Sequence, residues 1–164
     1  MNPAQSALAE RWQAAWSGRD PRAFLECCAP DLHYEDPLTD EPLLGPAALG
    51  RHAERLWAAF PDLVAESTGE PLASERWLAV PLRLRGRNTG SLGGLPASHR
   101  ELLVHVACWC ELDRSGERVW RARSYFDAHG AAVELGLLPR PGTLRGRAVL
   151  MLQGFGLLGG GGSP

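Results

Sequence analysis

The sequence predicts an α+β fold in which N-terminal helices pack on a strongly curved, mainly antiparallel sheet that encloses a pocket. Three observations carry this expectation. Apolar residues recur at helical spacing through the first 60 residues, with one strand-like run among them. From Leu63 the period changes to two, and long strand-like runs follow with turn signals between them. Helices and strands that segregate along a chain in this way build α+β domains rather than alternating α/β ones. The chain has 164 residues, 45% hydrophobic and 22% charged, which suits one globular domain and excludes wholesale disorder.

The first helix spans 4–17, where Leu8, Trp12 and Trp16 form one apolar face and Gly18 ends it at the C′ position. Asp20-Pro21 opens a second, short helix with Asp20 as N-cap and Pro21 at its first position, and Pro30 stops it. Leu32 to Asp36 is a short strand ended by Pro37. Gly45-Pro46 starts a third helix, which runs to about Ala59 and buries Leu49, Leu56, Trp57 and Phe60. Strands follow at 63–70, 77–88, 100–112 and 118–127. The Gly/Pro-rich stretch 89–98 joins the two long ones, and a tight turn lies at 113–116. A short helix follows around 131–135. Long curved antiparallel strands backed by helices make a cone with a mouth, and apolar hollows of this kind are ordinary ligand sites.

The domain is expected over 1–140. The extension 141–164 is Gly-rich and reads as partly helical or mobile. Its apolar part, Leu144 to Leu158, could pack on a partner subunit. The most apolar run, 148–158, is shorter than the ~20 residues a membrane helix needs. The N-terminus lacks a basic region followed by an apolar one, so a cytoplasmic location without a membrane partner is the expectation. A formal net charge of −2 argues against a nucleic-acid-binding body. All 17 basic side chains are Arg, which reads as genomic codon bias. The cysteines, Cys27-Cys28 and Cys108-x-Cys110, lack C-x-x-C spacing and read as small buried hydrophobes rather than metal ligands.

Several local strings occur together in order: Tyr34-Glu35-Asp36-Pro37, Ala59-Phe60-Pro61-Asp62-Leu63, Arg85-Gly86-Arg87-Asn88-Thr89-Gly90, Leu92-Gly93-Gly94-Leu95-Pro96-Ala97, Arg123-Ser124-Tyr125-Phe126-Asp127 and Leu135-Gly136-Leu137-Leu138-Pro139. In this order and spacing, over roughly 4–140, the chain resembles the SnoaL-like polyketide cyclases, a branch of the NTF2-like cone-fold superfamily. The resemblance implies a mixed, curved sheet around a deep pocket, often a homodimer, and no metal or organic cofactor. It implies ring closure by intramolecular aldol chemistry. The acid/base would be an aspartate at the end of the last long strand, at Asp127 here. The chain carries Asn88 where the family usually has a histidine, and His99 where it usually has a glycine.

Residue by residue, Asp127 shares a strand face with Arg121, Arg123 and Tyr125, while Trp120, Ala122, Ser124 and Phe126 share the other. The pattern does not decide which face lines the pocket. Inside an apolar pocket a carboxylate is a base suited to a proton next to a carbonyl. Alternatively, Asp127 pairs with an arginine or caps the next helix. His105 is either a core histidine or a pocket group that orients Asp127 or protonates an enolate oxygen. Tyr34 is either an oxyanion donor or a core tyrosine, and Asp36 either a pocket group or a turn residue before Pro37. Trp57 and Trp109 either line a site for a flat aromatic ligand or pack in the core. Tyr125, His99 and Leu95 complete the candidate substrate contacts. His33, His52 and His129 form no metal spacing and receive no role.

Two functions follow. One is a cofactor-independent enzyme acting on a small apolar or aromatic carbonyl compound through an enolate, by cyclisation, isomerisation or dehydration. The alternative is a non-catalytic small-molecule-binding or dimerisation module on the same cone.

Overall fold

The computed structural model describes residues 1–140. The expectations for the extension 141–164 lie outside the described residues. The elements run α1 (Pro3–Ser17), α2 (Ala23–Cys27), β1 (Cys28–Glu35), β2 (Leu43–Leu44), α3 (Pro46–Ala59), β3 (Val64–Ser67), β4 (Leu72–Ala73), β5 (Trp77–Arg87), β6 (Glu101–Leu112), β7 (Val119–Tyr125) and α4 (Ala128–Glu134).

Helix α1 begins at Pro3 because Asn2 and Gln5 cap each other. Gln5 N donates to Asn2 Oδ1 at 2.8 Å, and Asn2 N donates to Gln5 Oε1 at 3.1 Å. Leu8, Trp12 and Trp16 are all buried, as their spacing requires. The left-handed residue after the helix is Arg19, at φ 58°, and not Gly18, whose φ is −80°. The second helix also departs from expectation. Asp20 Oδ1 accepts from Arg22 N at 2.9 Å, so it closes a turn ahead of α2 rather than capping it. Cys28 already begins β1, and Pro30 lies inside that strand instead of ending the helix.

The sheet has the order β2-β1-β7-β6-β5-β3, with β4 also on β5. Among the described residues only β1 and β7 pair in parallel; the other pairings are antiparallel. This is the NTF2-like cone. The early strand therefore ends beside the last one, with Tyr34 opposite Ala122 and Glu35 opposite Arg123. Pro81 is tolerated in β5 because its missing N–H falls in the gap between the β3 pairing, which starts at Leu82, and the β4 pairing, which ends at Ala79.

Alternation sorts the side chains. Val104, Val106, Cys108, Cys110 and Leu112 of β6 point inward to the helices, as do Ala122 and Ser124 of β7. Leu103, His105, Ala107 and Trp109 of β6 and Arg123 and Tyr125 of β7 point outward. Trp12, Trp16, Phe24 and Tyr34 form the aromatic centre of the core, with ring centroids 5.2–6.4 Å apart. Each such side chain contributes about 1.5–3 kcal/mol through burial.

The β5–β6 connection is pinned to the end of α3. The Ala59 carbonyl accepts from Thr89 N at 3.0 Å, Gly90 N at 3.1 Å and Asn88 Nδ2 at 3.1 Å. Gly90 is required here, because a Cβ would collide with the Ala58 carbonyl oxygen. Asn88 completes the clamp by accepting from Ser98 N at 2.7 Å.

Candidate functional site

Between the inner sheet face and helices α1, α3 and α4 lies a cavity of about 140 Å³. Its wall is mostly apolar, with Phe60, Leu82, Leu92, Val106 and Phe126 among the lining residues. The polar atoms in that wall come from Trp16, Tyr34, Asp36, Cys108 and Ser124.

Asp36 is the hub. Its side chain is only 3% exposed, and the His52 side chain behind it 4%. Oδ2 accepts from Tyr34 Oη at 3.0 Å and lies 2.8 Å from His52 Nε2, while Oδ1 accepts from Leu38 N at 2.7 Å. On the other side of the imidazole, Arg55 Nη2 lies 3.3 Å from Nδ1. A guanidinium can only donate, so Nδ1 is the acceptor and Nε2 carries the proton given to Asp36. A carboxylate has about four acceptor sites. Among the described residues three are filled and one is not.

The elements explain this convergence. Asp36 follows the last residue of β1, where the chain turns at Pro37. The turn is closed by Thr39 Oγ1, which donates to the Asp36 carbonyl at 2.9 Å and accepts from Asp36 N at 3.1 Å. His52 lies on the buried stripe of α3 with Leu49, Ala53 and Leu56. Burial pushes the Asp36 carboxyl up. The His52, Leu38 and Tyr34 donors outweigh it and hold the group below the ordinary carboxylate value. Burial and the nearby Asp36 charge push the Tyr34 phenol well up, so it stays protonated. Cys108 Sγ lies 3.3 Å from Ser124 Oγ, and burial raises its thiol too. It is no thiolate nucleophile at neutral pH. Trp12 and Trp16 each bury an indole N–H without a hydrogen-bond partner among the described residues. Among those residues, no three of His, Cys, Asp or Glu converge as a metal-ligand set.

Tyr34 and Asp36 of the expected site residues line this cavity, and the rest lie elsewhere. Asp127 is exposed and caps α4, its Oδ1 accepting from Gly130 N at 2.8 Å. The alternation of β7 sends Ala122 and Ser124 inward, which turns the face shared by Arg123, Tyr125 and Asp127 outward. The expectation that Asp127 sits inside the pocket is therefore corrected. For the same reason His105, Trp109 and Tyr125 stand on the outer sheet face, with Trp109 against Trp77 at 5.6 Å between ring centroids. Trp57 is core: its Nε1 donates to the Trp16 carbonyl at 2.8 Å, and its neighbour Leu56 lines the cavity instead. Leu95 and His99 are exposed in the β5–β6 connection, where Leu92 reaches the cavity. His99 serves the backbone, at φ 57°, with its N–H donated to the Asn88 carbonyl at 2.9 Å.

His52, which bonds Asp36, and the lining residues Trp16, Cys108 and Ser124 are not among the expected site residues. Their signals were positional. His52 falls three residues after Leu49 and four before Leu56, inside the apolar stripe of α3. Ser124 alternates with Ala122 on the inward face of β7.

Comparison with known proteins agrees with this architecture. The family model of the SnoaL-like polyketide cyclases matches residues 6–135. Among solved structures the chain is similar to TsrD from Streptomyces laurentii, with 21% identity, TM-score 0.73, and 84% of this chain and 99% of that one covered. It is similar to AclR from Streptomyces galilaeus, described as a hydroxylase candidate, with 20% identity, TM-score 0.70 and 92% of each chain covered. It is also similar to a ketosteroid isomerase-like protein from Catenulispora acidiphila in complex with trimethylamine. There the identity is 18% and the TM-score 0.68, over 83% of this chain and 95% of that one. No curated protein sequence matches the chain. With the family model covering most of its length and the NTF2-like cone underneath, the chain belongs to the SnoaL-like polyketide cyclase family.

Proposed function

We propose that the chain is a cofactor-independent acid/base enzyme acting on a small, largely apolar carbonyl compound, with Asp36 as the proton-transferring group. The observation that carries this reading is a buried carboxylate with one unfilled acceptor site, on the wall of an otherwise apolar cavity. The carboxylate takes a proton from the carbon next to the substrate carbonyl and leaves an enolate. It then returns the proton to another atom, completing an isomerisation, a dehydration or the step that precedes ring closure. His52 and Tyr34 are positioning residues that fix the carboxylate. Because Asp36 is held below the ordinary carboxylate value, it is ionised throughout the neutral range, and its conjugate acid gives the proton back readily. The apolar wall excludes water and strengthens each of these interactions.

The test is hydrogen–deuterium exchange at the benzylic carbon of phenylacetone in D₂O, followed by proton NMR. The wild-type chain should accelerate exchange, and Asp36→Asn should remove the acceleration. Binding of the ketone without any acceleration would replace the enzyme reading by that of a binding module.

We also place a homodimer contact on the outer sheet face. Leu72, Trp77, Leu103, Trp109 and Tyr125 are all more than a third exposed there. Light scattering should give twice the chain mass for wild type and the single chain mass for Trp109→Glu. A monomeric wild type would overturn this placement.

A further inference from the structure

The cavity has a closed end and a rim. Phe60, Leu82, Val106 and Cys108 line it and are buried. Leu38 and Leu137 line it too, yet they are 47% and 37% exposed. Side chains that face both the cavity and solvent mark its opening. The surface beside that opening stays apolar. Leu138 follows Leu137 and is more than a third exposed. So is Leu95, whose backbone exchanges hydrogen bonds of 2.9 and 3.0 Å with Leu92, another lining residue. The rim thus gathers exposed leucines from three separate segments: the turn after β1, the β5–β6 connection and the chain after α4. A leucine exposed singly needs no explanation, but a group of them around a cavity mouth marks a binding surface.

We infer that the substrate carries apolar groups on both sides of its carbonyl: one compact group inside the cavity, and one chain that leaves the mouth and lies across the leucine rim. This rests on the proposed function and names the class of carbonyl compound it takes. The inner group is small because the cavity holds about 140 Å³, and an apolar cavity of ~150 Å³ holds a single benzene molecule. The rim stands next to the reacting carboxylate, since Asp36 Oδ1 accepts from Leu38 N at 2.7 Å. A carbonyl beside Asp36 therefore has the cavity on one side and the rim leucines on the other. A chain laid across those leucines removes apolar surface of both partners from water, which strengthens binding with each methylene added.

The test is titration calorimetry of the full chain with acetophenone, butyrophenone and hexanophenone, which share one ring and lengthen the chain by two methylenes at a time. Affinity should rise about two-fold per methylene, half the logarithmic gain of full burial, because the rim covers only one side of the chain. The rise should disappear in the double variant Leu38→Asn, Leu137→Asn, or in Leu95→Asn if the double variant does not fold. It should persist in Leu44→Asn, since Leu44 is exposed on β2 and does not line the cavity. A flat series in the wild type, the outcome if residues 141–164 cover the rim instead, would overturn this inference and leave the proposed function standing. Equal rises in the rim variants and in Leu44→Asn would overturn it as well. A rise lost only in the rim variants, with no phenylacetone exchange in the wild type, would support the rim as a ligand site and overturn the enzyme reading. Failure of all three ketones to bind would overturn the ligand-site reading itself, and this inference with it.

Discussion

Replacing Asp36 by Asn removes the charge in the cavity wall while changing the side-chain shape very little. In the wild type one carboxylate accepts from Tyr34 Oη, His52 Nε2 and Leu38 N at 3.0, 2.8 and 2.7 Å. An amide has one acceptor oxygen. Turned toward Tyr34 and His52, it sets its NH₂ against the Leu38 N–H; turned toward Leu38, it sets the NH₂ against two buried donors. The first orientation costs less. Each of the two retained bonds loses its charge-assisted character, about 1 kcal/mol apiece, and the bond to Leu38 is lost at about another 1 kcal/mol. The expected destabilisation is therefore about 3 kcal/mol, or a fall in Tm of about 6–12 °C for a chain of this length. Thermal unfolding followed by circular dichroism at pH 7 measures it. A Tm within 2 °C of wild type, on the order of the effect of ~1 kcal/mol or less, would refute the description of Asp36 as a triply bonded buried carboxylate.

Three further outcomes are expected. The Asp36 pKa is lowered in the folded state, so its stabilisation is fully present above the unfolded value of about 3.9 and is lost as pH falls through the folded value. Urea unfolding below about pH 4 should show this loss in wild type and a shallower one in Asp36→Asn; equal slopes would contradict it. Asn88→Ala removes the donor to Ala59 and Gly90 and the acceptor for Ser98 N, and should cost about 2–4 kcal/mol in the same experiment. A loss under about 0.5 kcal/mol would mean that the Asn88 clamp does not hold the connection to α3. Asp127→Ala should cost about 1 kcal/mol through the lost cap of α4 and Asp127→Asn close to nothing, since Asn caps as well as Asp; equal losses in the two variants would contradict a capping role.

The fold was legible because its signals are local. The Leu8–Trp12–Trp16 spacing, the Gly45-Pro46 helix start and the period-two runs each specify one element. What the sequence could not carry was how those elements meet. The side-by-side placement of β1 and β7 depends on pairing across about 90 residues, since His33 lies opposite Arg121. That pairing is what brings Tyr34 and Asp36 near Ser124. The face of β7 that turns inward depends on register, and a shift of one residue would exchange Ser124 for Tyr125. Tyr34 and Asp36 were legible because both fall on one short strand face before a proline. His52 was hidden because a histidine in a helical stripe looks like core until the carboxylate from another element meets it. The assignment of Asp127 came from family resemblance, and the α4 cap is what its carboxylate makes here.

The proposed function puts proton transfer on Asp36 in the cavity wall and not on Asp127 at the N-terminus of α4. Its most direct test is a comparison of the phenylacetone exchange rate in D₂O for wild type, Asp36→Asn and Asp127→Asn, each below its unfolding temperature. Wild-type exchange is expected in Asp127→Asn and background exchange in Asp36→Asn. Background exchange in Asp127→Asn, with exchange retained in Asp36→Asn, would contradict it.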